Sequence, residues 1–526
     1  MSFSIPEFDF KGIKKITIPK VDSDFSTEDY GWSVIKKFLP QILQTHQENV
    51  KKITFLYDYF LGEQDILAKE RKHEINKANN NKEVENHANR QVEFKVGFLC
   101  GERRDYTHKA DSDSDDLIYL DRYFTDCNFY TKDSQLKEYI YSTGIGTTKT
   151  TPRTDIIVYD GIDEMTGMEK LRYATKEDGY DIDFEAPFVF DCVDPRENFS
   201  VYSSSTRKEH LFDVSYVDVD LSTDRDTQPK IGKMLLIETR YAIFEFKSDY
   251  DLKIFFWNRE GEVKVTQKPK HLRYLPLIEF SINKDRIGII EKNRSSFNTI
   301  NLFRSATNDM VVDNANAILV FKNVDIESEE VKEMRKAGAI IISDNQNARN
   351  GGTADLTTVT VEIPFDKMAT YIEQVMTTCY DIAGVPMASG QVTSGGDTGQ
   401  ARLLGGGWNN AYIIIHKEIQ ELLGQDYEQL KLILMLCKQV PNCPVDKLYA
   451  SQIDINYRVN QNDNFLVKTQ GMLNLFQMNL PHEFILKVGG LSNDVKTDTK
   501  DWLENIRKVQ EQEQSKNQNQ NNNSVE

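Results

Sequence analysis

The chain has 526 residues, 39% hydrophobic and 28% charged, which excludes a small stapled scaffold and leaves room for three or four domains at about 150 residues each. Its 82 acidic and 64 basic residues give a net charge of −18, which excludes a general nucleic-acid binder; a DNA partner would need a local basic patch or a surface that keeps phosphate near without gripping it. Six dispersed cysteines (100, 127, 192, 379, 437 and 443) lack zinc-ribbon spacing and read as reduced thiols, and with no signal-peptide core and no run of 18 apolar residues the chain reads as soluble and not secreted.

In chain order, Gly31 to Leu61 reads as helix: Val34, Ile35, Phe38, Leu39, Ile42 and Leu43, then Val50, Ile53, Leu56 and Tyr57, recur every three or four residues. Pro40 is expected to kink or split it. An Asn-rich stretch, 75–81, reads as an extended surface loop, and a second helical pattern over Val84, Ala88, Val92, Lys95 and Val96 is expected to stop at Gly97. From 156 to 280 the period turns strand-like in VSYVDVDL (214–221), KMLLIETRYAIFEF (233–246), LKIFFW (252–257) and EVKVTQ (262–267). Polar turns separate these segments, which predicts an antiparallel meander with one wet face. Helices followed by such a sheet predict an α+β fold.

Residues 289–439 are the most informative. Ser296 to Ala317 predicts a helix bearing Phe297, Ile300, Phe303, Ala306, Met310, Val311 and Ala315. An insert follows with a strand (317–321), an acidic helix (327–338) and two more strands (339–343 and 357–363), a small βαββ unit. Pro364 then opens a helix whose stripe is Phe365, Met368, Ile372, Val375, Met376, Cys379 and Ile382; Gly384 and Pro386 stop it after Ala383, a length of about 28 Å. The next segment, GVPMASGQVTSGGDTGQ (384–400), has five glycines and almost no charge, so it is expected to be mobile. A long helical pattern runs from Ala401 to Lys438, broken or kinked at Gly405, Gly406 and Gly407. SQIDINYRV (451–459) reads as a strand, 465–503 as helical pieces, and the tail beyond about 511 as disordered.

Conventional active-site patterns are missing. TGIGTTKTT (143–151) lacks P-loop spacing and reads as a turn between helix and sheet; DSDSDD (111–116) has Asp116 where a calcium loop needs Gly and reads as a solvated acidic loop. The eight histidines show no HExxH spacing, and His416, amid Ile413, Ile414, Ile415 and Ile419, reads as a packed or interfacial imidazole. What remains is architectural. Two helices enclosing a compact insert, with a mobile loop after the second, can lie antiparallel as a stalk whose apolar stripes ask for neighbouring subunits around a ring.

At this point the residues resemble a known family, the portal proteins of tailed bacteriophages, in the branch found in long-tailed siphoviruses. The colinear segments are YDYFLGEQDIL (57–67), NHANRQVEFKVGFLCG (86–101), VDPRENFSVY (193–202), LPLIEFSIN (275–283), FNTINLFRSATNDMVVDNANAILVFKN (297–323) and IAGVPMASG (382–390). The resemblance implies an α+β portal fold: a wing over 1–290, stem helices at 291–317 and 365–383, a clip at 318–364, a tunnel loop at 384–400, a long kinked wing helix and return strand at 401–463, a helical crown at 464–511 and a disordered tail at 512–526. It implies a homo-oligomeric ring, usually of twelve subunits, at one capsid vertex of the virion, assembled in host cytoplasm. Double-stranded DNA passes through it without sequence specificity, and its partners are a terminase motor, the major capsid protein or scaffold, and a head-tail adaptor. No enzymatic activity, cofactor, metal or membrane is implied.

On this reading Val385, Met387, Ser389, Gln391, Val392, Thr393 and Ser394 face the duplex. Lys292, Arg294, Arg304 and Arg402 are candidates for phosphate contacts or, alternatively, for ion pairs with neighbouring subunits. Phe297, Phe303, Met310, Met368, Ile372, Val375, Met376 and Cys379 are expected at subunit interfaces. An acidic or neutral bore suits a sliding polyanion, because a cationic one would hold each position through many ion pairs. Two competing readings are a metal-dependent phosphate-ester hydrolase using Asp111, Asp113 and Asp115, and a minor capsid scaffold without a through-channel.

Overall fold

The computed structural model describes residues 11–19, 29, 31–68, 80–109, 116–162, 169–220, 231–248, 266–315, 318–322, 355–359, 365–387, 408–459, 465–478, 480–489, 499–500 and 502–508. Its first long element, α1 (Trp32–Leu61), runs through Pro40 without splitting. Leu39, Ile42 and Leu43, on either side of the proline, are buried against a sheet, and that packing holds the turn that lacks an amide donor. The sheet has six strands in the order β1 (Thr17–Ile18), β7 (Asn198–Ser203), β8 (His210–Asp220), β9 (Ile231–Thr239), β10 (Ala242–Ser248) and β11 (Thr266–Pro269). β7 to β11 form the expected antiparallel meander and β1 adds a parallel edge. Phe199, Val201, Phe212, Val214, Leu235, Ile237 and Phe244 alternate along these strands and point at the first half of α1.

The second half of α1 enters a helical core. There Phe55, Leu56 and Tyr59 meet α3 (His87–Cys100), α5 (Phe129–Thr143), the start of α6 (Ile289–Ala315), the end of α7 (Phe365–Ala383) and the first half of α8 (Trp408–Cys437). The second half of α8 serves a third core with α4 (Asp116–Asp126), β6 (Phe188–Val193) and the return strand β15 (Ile453–Asn456). Two 30-residue helices, each about 45 Å long, therefore span the cores in series. The remaining pieces are α2 (Asp65–Ala68), β2 (Asp105–His108) paired with β15, a three-stranded sheet of β3 (Gly146–Pro152) between β6 and β12 (Leu277–Phe280), and a hairpin of β4 (Ile157–Ile162) and β5 (Glu169–Tyr173). They are joined by the antiparallel ladder β13 (Ile318–Lys322) with β14 (Asp355–Val359), and by α9 (Phe465–Gln477) and α10 (His482–Gly489).

The glycine-rich stretch at 143–151 is, as read, a helix-to-sheet turn. Gly144 caps α5 at φ 96°, and a Cβ there would lie 2.2 Å from the Arg286 carbonyl oxygen. The second helical pattern starts later than the sequence suggests, at His87, and runs through Gly97 to Cys100. Residues 80–86 carry no regular secondary structure instead, and side chains of α6 take up the amides of Asn81, Glu83 and Glu85. α4 has no counterpart among the expected elements, and α6 begins at Ile289, two residues before the stem helix that the resemblance implies at 291–317. The segment 252–257, the acidic loop with Asp111, Asp113 and Asp115, the inner elements of the insert at 327–343, the glycine triplet 405–407 and the tail beyond 511 lie outside the described residues.

Four fully or nearly buried charges sit where the helical core meets the third core. Arg104, just after α3, is 2.9 Å from Asp133 of α5 and 2.7 Å from Asp426 of α8, and Lys137 lies 3.3 Å from Asp133. The Tyr457 hydroxyl donates to Asp426 at 2.5 Å and accepts from Arg104 at 3.0 Å. About two turns upstream on α8, Glu418 takes Lys95 at 3.1 Å and the Tyr141 hydroxyl at 2.9 Å. Burial would push the Asp426 carboxyl up, but Arg104, Lys137 and the Tyr457 hydroxyl outweigh it and hold the group below its ordinary range. Its contribution to stability is therefore complete above about pH 4 and is lost as pH falls toward the folded value.

Arg104→Met strands Asp133 and Asp426 with Lys137 alone, and the expected loss is about 3–5 kcal/mol in chemical denaturation. Removing Lys14 from its exposed 2.8 Å pair with Glu48 is expected to cost under ~1 kcal/mol in the same assay. Equal losses for the two would contradict a dominant role for the buried network.

Candidate functional site

The long helices that carried the sequence argument come together as an antiparallel pair. Asn293 near the start of α6 donates to the Cys379 carbonyl near the end of α7 at 2.9 Å, while Phe303 further along α6 meets Tyr371, earlier on α7, at 5.8 Å between ring centroids. Between their far ends lies the insert, of which β13 and β14 are described as an antiparallel ladder running from Ile318 opposite Val359 to Lys322 opposite Asp355.

Burial falls away along this pair. At the core end, Ile289, Ile290, Phe297 and Ile300 of α6 and Cys379, Tyr380 and Ala383 of α7 are buried. Toward the insert the apolar side chains emerge: Leu302, Met310 and Val311 on α6, and Phe365 and Tyr371 on α7, are 41–50% exposed. Ile382, at the other end of α7, is exposed as well. Exposed apolar side chains concentrated along one helix pair are the kind of surface that another protein surface covers.

The end of α7 is sharply defined. Gly384, at φ 63°, gives its amide to the Asp381 carbonyl at 3.0 Å, and the Val385 amide reaches the Tyr380 carbonyl at 3.0 Å. These two bonds form a Schellman stop, and the Val385 side chain completes it by burying itself in the helical core. A Cβ on Gly384 would lie 2.7 Å from Ile414 of α8, so glycine is required by sterics as well as by φ. The stop at Gly384 expected from the sequence is where the structure has it.

This geometry corrects part of the expected DNA-facing set. Val385 is 4% exposed and belongs to the core, and Met387 is half-buried with its sulfur accepting from the Thr377 hydroxyl at 3.7 Å. Ser389, Gln391, Val392, Thr393 and Ser394, with Arg402, lie outside the described residues. Of the basic candidates, Arg294 is committed to Asp65 through two bonds of 3.0 and 2.7 Å and stacks over Phe55. Arg304 is paired with Glu85 while half of its side chain remains exposed. Lys292 is exposed. The sequence allows ion pairs between subunits at these positions; the pairs that Arg294 and Arg304 form are within one chain.

Among the expected interface residues, Phe297 and Cys379 are interior to one chain and offer no surface to another. Phe303, Met368, Ile372, Val375 and Met376 are all half-buried along the pair, and Met310 is exposed. Leu302 and Tyr371 join the exposed apolar surface and were missed. His416, expected to be packed or interfacial, is exposed on α8 near Ile413, while Ile415 and Ile419 beside it turn inward. Among the described residues no group of three or more His, Cys, Asp or Glu is placed to hold a metal ion, and no helix is long and apolar enough to cross a membrane.

Gly384→Ala is expected to cost about 2–4 kcal/mol, from the left-handed backbone and the clash with Ile414 together, read as a lower denaturation midpoint. Combined with Ile414→Ala, the loss should fall short of the sum of the two single changes; strict additivity would rule out the clash.

The family described as "Phage portal protein, SPP1 Gp6-like" matches this chain over residues 39–402, from the first third of α1 past the end of α7. No curated protein matches the chain.

Proposed function

The chain belongs to the SPP1 Gp6-like family of phage portal proteins, and from that premise we propose that its copies close into a ring at one capsid vertex, with a passage wide enough for duplex DNA. The observation that supports a ring is the exposed apolar surface of the α6–α7 pair: Leu302, Met310, Val311, Phe365 and Tyr371 are each more than two-fifths exposed in the single chain. A closed ring of identical subunits satisfies every copy at once, because each apolar face meets its neighbour. Twelve subunits is the number that family membership suggests.

Within the ring, α6 and α7 form the stem, the insert between them with β13 and β14 forms the clip, and the sheets with α1, α3, α5 and α8 form the wing. α9 and α10 belong to the crown. Residues 388–400, glycine-rich and nearly uncharged in sequence, face the duplex. With Arg294 and Arg304 already committed within the chain and acidic residues outnumbering basic ones to give a net charge of −18, the subunit as a whole repels phosphate, and low phosphate affinity is what a passage for a sliding polyanion requires. DNA is moved by a separate terminase motor, and the opposite end of the ring receives a head-tail adaptor. The protein itself acts structurally, as packaging channel and connector.

Two experiments test this. The full-length protein is expected to run by light scattering as a species of about twelve protomers, and a Met310→Glu/Tyr371→Glu variant as a much smaller one. Its circular dichroism should be unchanged, because both side chains are about half exposed in the single chain. A wild-type monomer, or a charged variant that still assembles, contradicts the interface. Separately, deleting 388–396 is expected to leave the ring intact and to lower packaged DNA per particle severalfold; loss of assembly would mean that the segment belongs to the scaffold.

A further inference from the structure

Residues 80–87 form a tie between the helical core and the two long helices. The Asn81 amide donates to Asp309 Oδ1 at 3.1 Å, the Glu83 amide to Ser305 Oγ at 2.9 Å and the Glu85 amide to Asn301 Oδ1 at 3.0 Å. A step of two along the strap is thus a step of four, in the opposite direction, along α6. The lengths agree: two extended residues cover about 6.6 Å and four helical residues about 6.0 Å, so three rungs accumulate a mismatch of only about 1 Å. The alternate strap residues face the other way. Lys82 Nζ donates to the Leu67 carbonyl at 2.6 Å, and Asn86 Nδ2 donates to the Phe60 carbonyl at 2.9 Å, anchoring the strap to the α1–α2 corner.

The third direction runs through Glu85. One of its carboxylate oxygens pairs with Arg304 of α6, and the other lies 2.9 Å from His87 Nε2. A carboxylate only accepts, so Nε2 carries a proton, and Nδ1 of the same ring is hydrogen-bonded to the Tyr380 hydroxyl of α7 at 2.9 Å. Glu85 thereby joins α6, the first residue of α3 and α7 in one polar chain.

We propose that Glu85, with the Asn301–Ser305–Asp309 ladder, is the positioning element that sets where α7 crosses α6 relative to the helical core. The three strap bonds at fixed spacing hold 80–86 on α6 in one register, and the Glu85–His87–Tyr380 chain ties α7 to that strap, beside the direct bond from Asn293 of α6 to the Cys379 carbonyl. The consequence for DNA passage rests on the portal reading above; the positioning itself does not.

Hydrogen exchange on the full-length protein separates the two. In Glu85→Ala, amides of 80–86 and of the last turn of α7 around Tyr380 are expected to exchange at least about tenfold faster, the effect of losing one net hydrogen-bonded link, while Glu85→Gln, which keeps an acceptor, restores protection. Should Glu85→Ala not fold, Ser305→Val against Ser305→Thr asks the same question at one rung, with equal shape and only the hydroxyl changed. Strap amides that exchange freely in the wild type, or a freed strap with α7 unaffected, overturn the positioning. Packaging that drops in Glu85→Ala at unchanged ring mass supports the link to DNA passage, and unchanged packaging overturns that link alone. A wild type that never assembles counts against the portal reading and leaves the exchange result standing.

Discussion

Two buried carboxylates on one helix dictate much of this fold. Glu418 and Asp426 stand on the inward face of α8, the first in the helical core and the second at its border with the next. Neither can be left uncompensated out of water, since an unpaired buried charge costs several kcal/mol. Their cations come from one neighbouring stretch of chain: Lys95 within α3 for Glu418 and Arg104 just past its end for Asp426. Satisfying both at once fixes α8 against α3 in rotation and in register. α5 is drawn into the same arrangement by Tyr141 on one side and by Asp133 and Lys137 on the other. Once α3, α5 and α8 are set, the ends of α6 and α7 have one hydrophobic slot to enter.

This explains which parts of the structure were legible in the sequence. The bounds of α7 from 365 to 383 were readable because Pro364 and Gly384 punctuate a regular apolar stripe, and the meander because its strands alternate. Nothing in the apolar pattern of the long helix singled out Glu418 and Asp426, although Leu422, Asp426 and Leu430 stand at intervals of four and place the carboxylate on the apolar line. A charge on such a stripe is a usable signal of a buried partner. Val385 was misassigned for a related reason: it follows a helix stop and looks like loop, but a Schellman stop draws the residue after the glycine back onto the helix it ends. The strap at 80–86 had no local signal at all. Its polar residues suit a helix start or a loop equally, and only the spacing of Asn301, Ser305 and Asp309, more than two hundred residues away, decides between them.

α1 and α8 show how a chain of separate cores can act as one body. Each passes from one hydrophobic cluster into the next without a break, so a force on the meander is carried along α1 to the helical core and from there along α8 to β6 and β15. Short loops in those places would let the cores swing. The α6–α7 pair leaves this frame beyond Ile300 and Tyr371, where its apolar side chains come out.

The two sides of α6 are therefore built from different interactions, and the difference follows from what each must do. Toward its own chain, the helix presents Asn301, Ser305 and Asp309, groups whose hydrogen bonds are short-ranged and directional and hold a single register. On its exposed side, between insert and core, it presents Leu302, Met310 and Val311, whose association is non-directional and scales with area. In the proposed ring, a subunit must keep its own stem in place while neighbouring stems accommodate a helical polymer whose symmetry differs from theirs. Hydrogen-bonded rungs between subunits would break with each small shift and leave unpaired polar groups, whereas apolar side chains exchange one contact for another at little cost. Directional bonds inside the subunit and greasy contacts outside it are the division of chemistry that such a load requires.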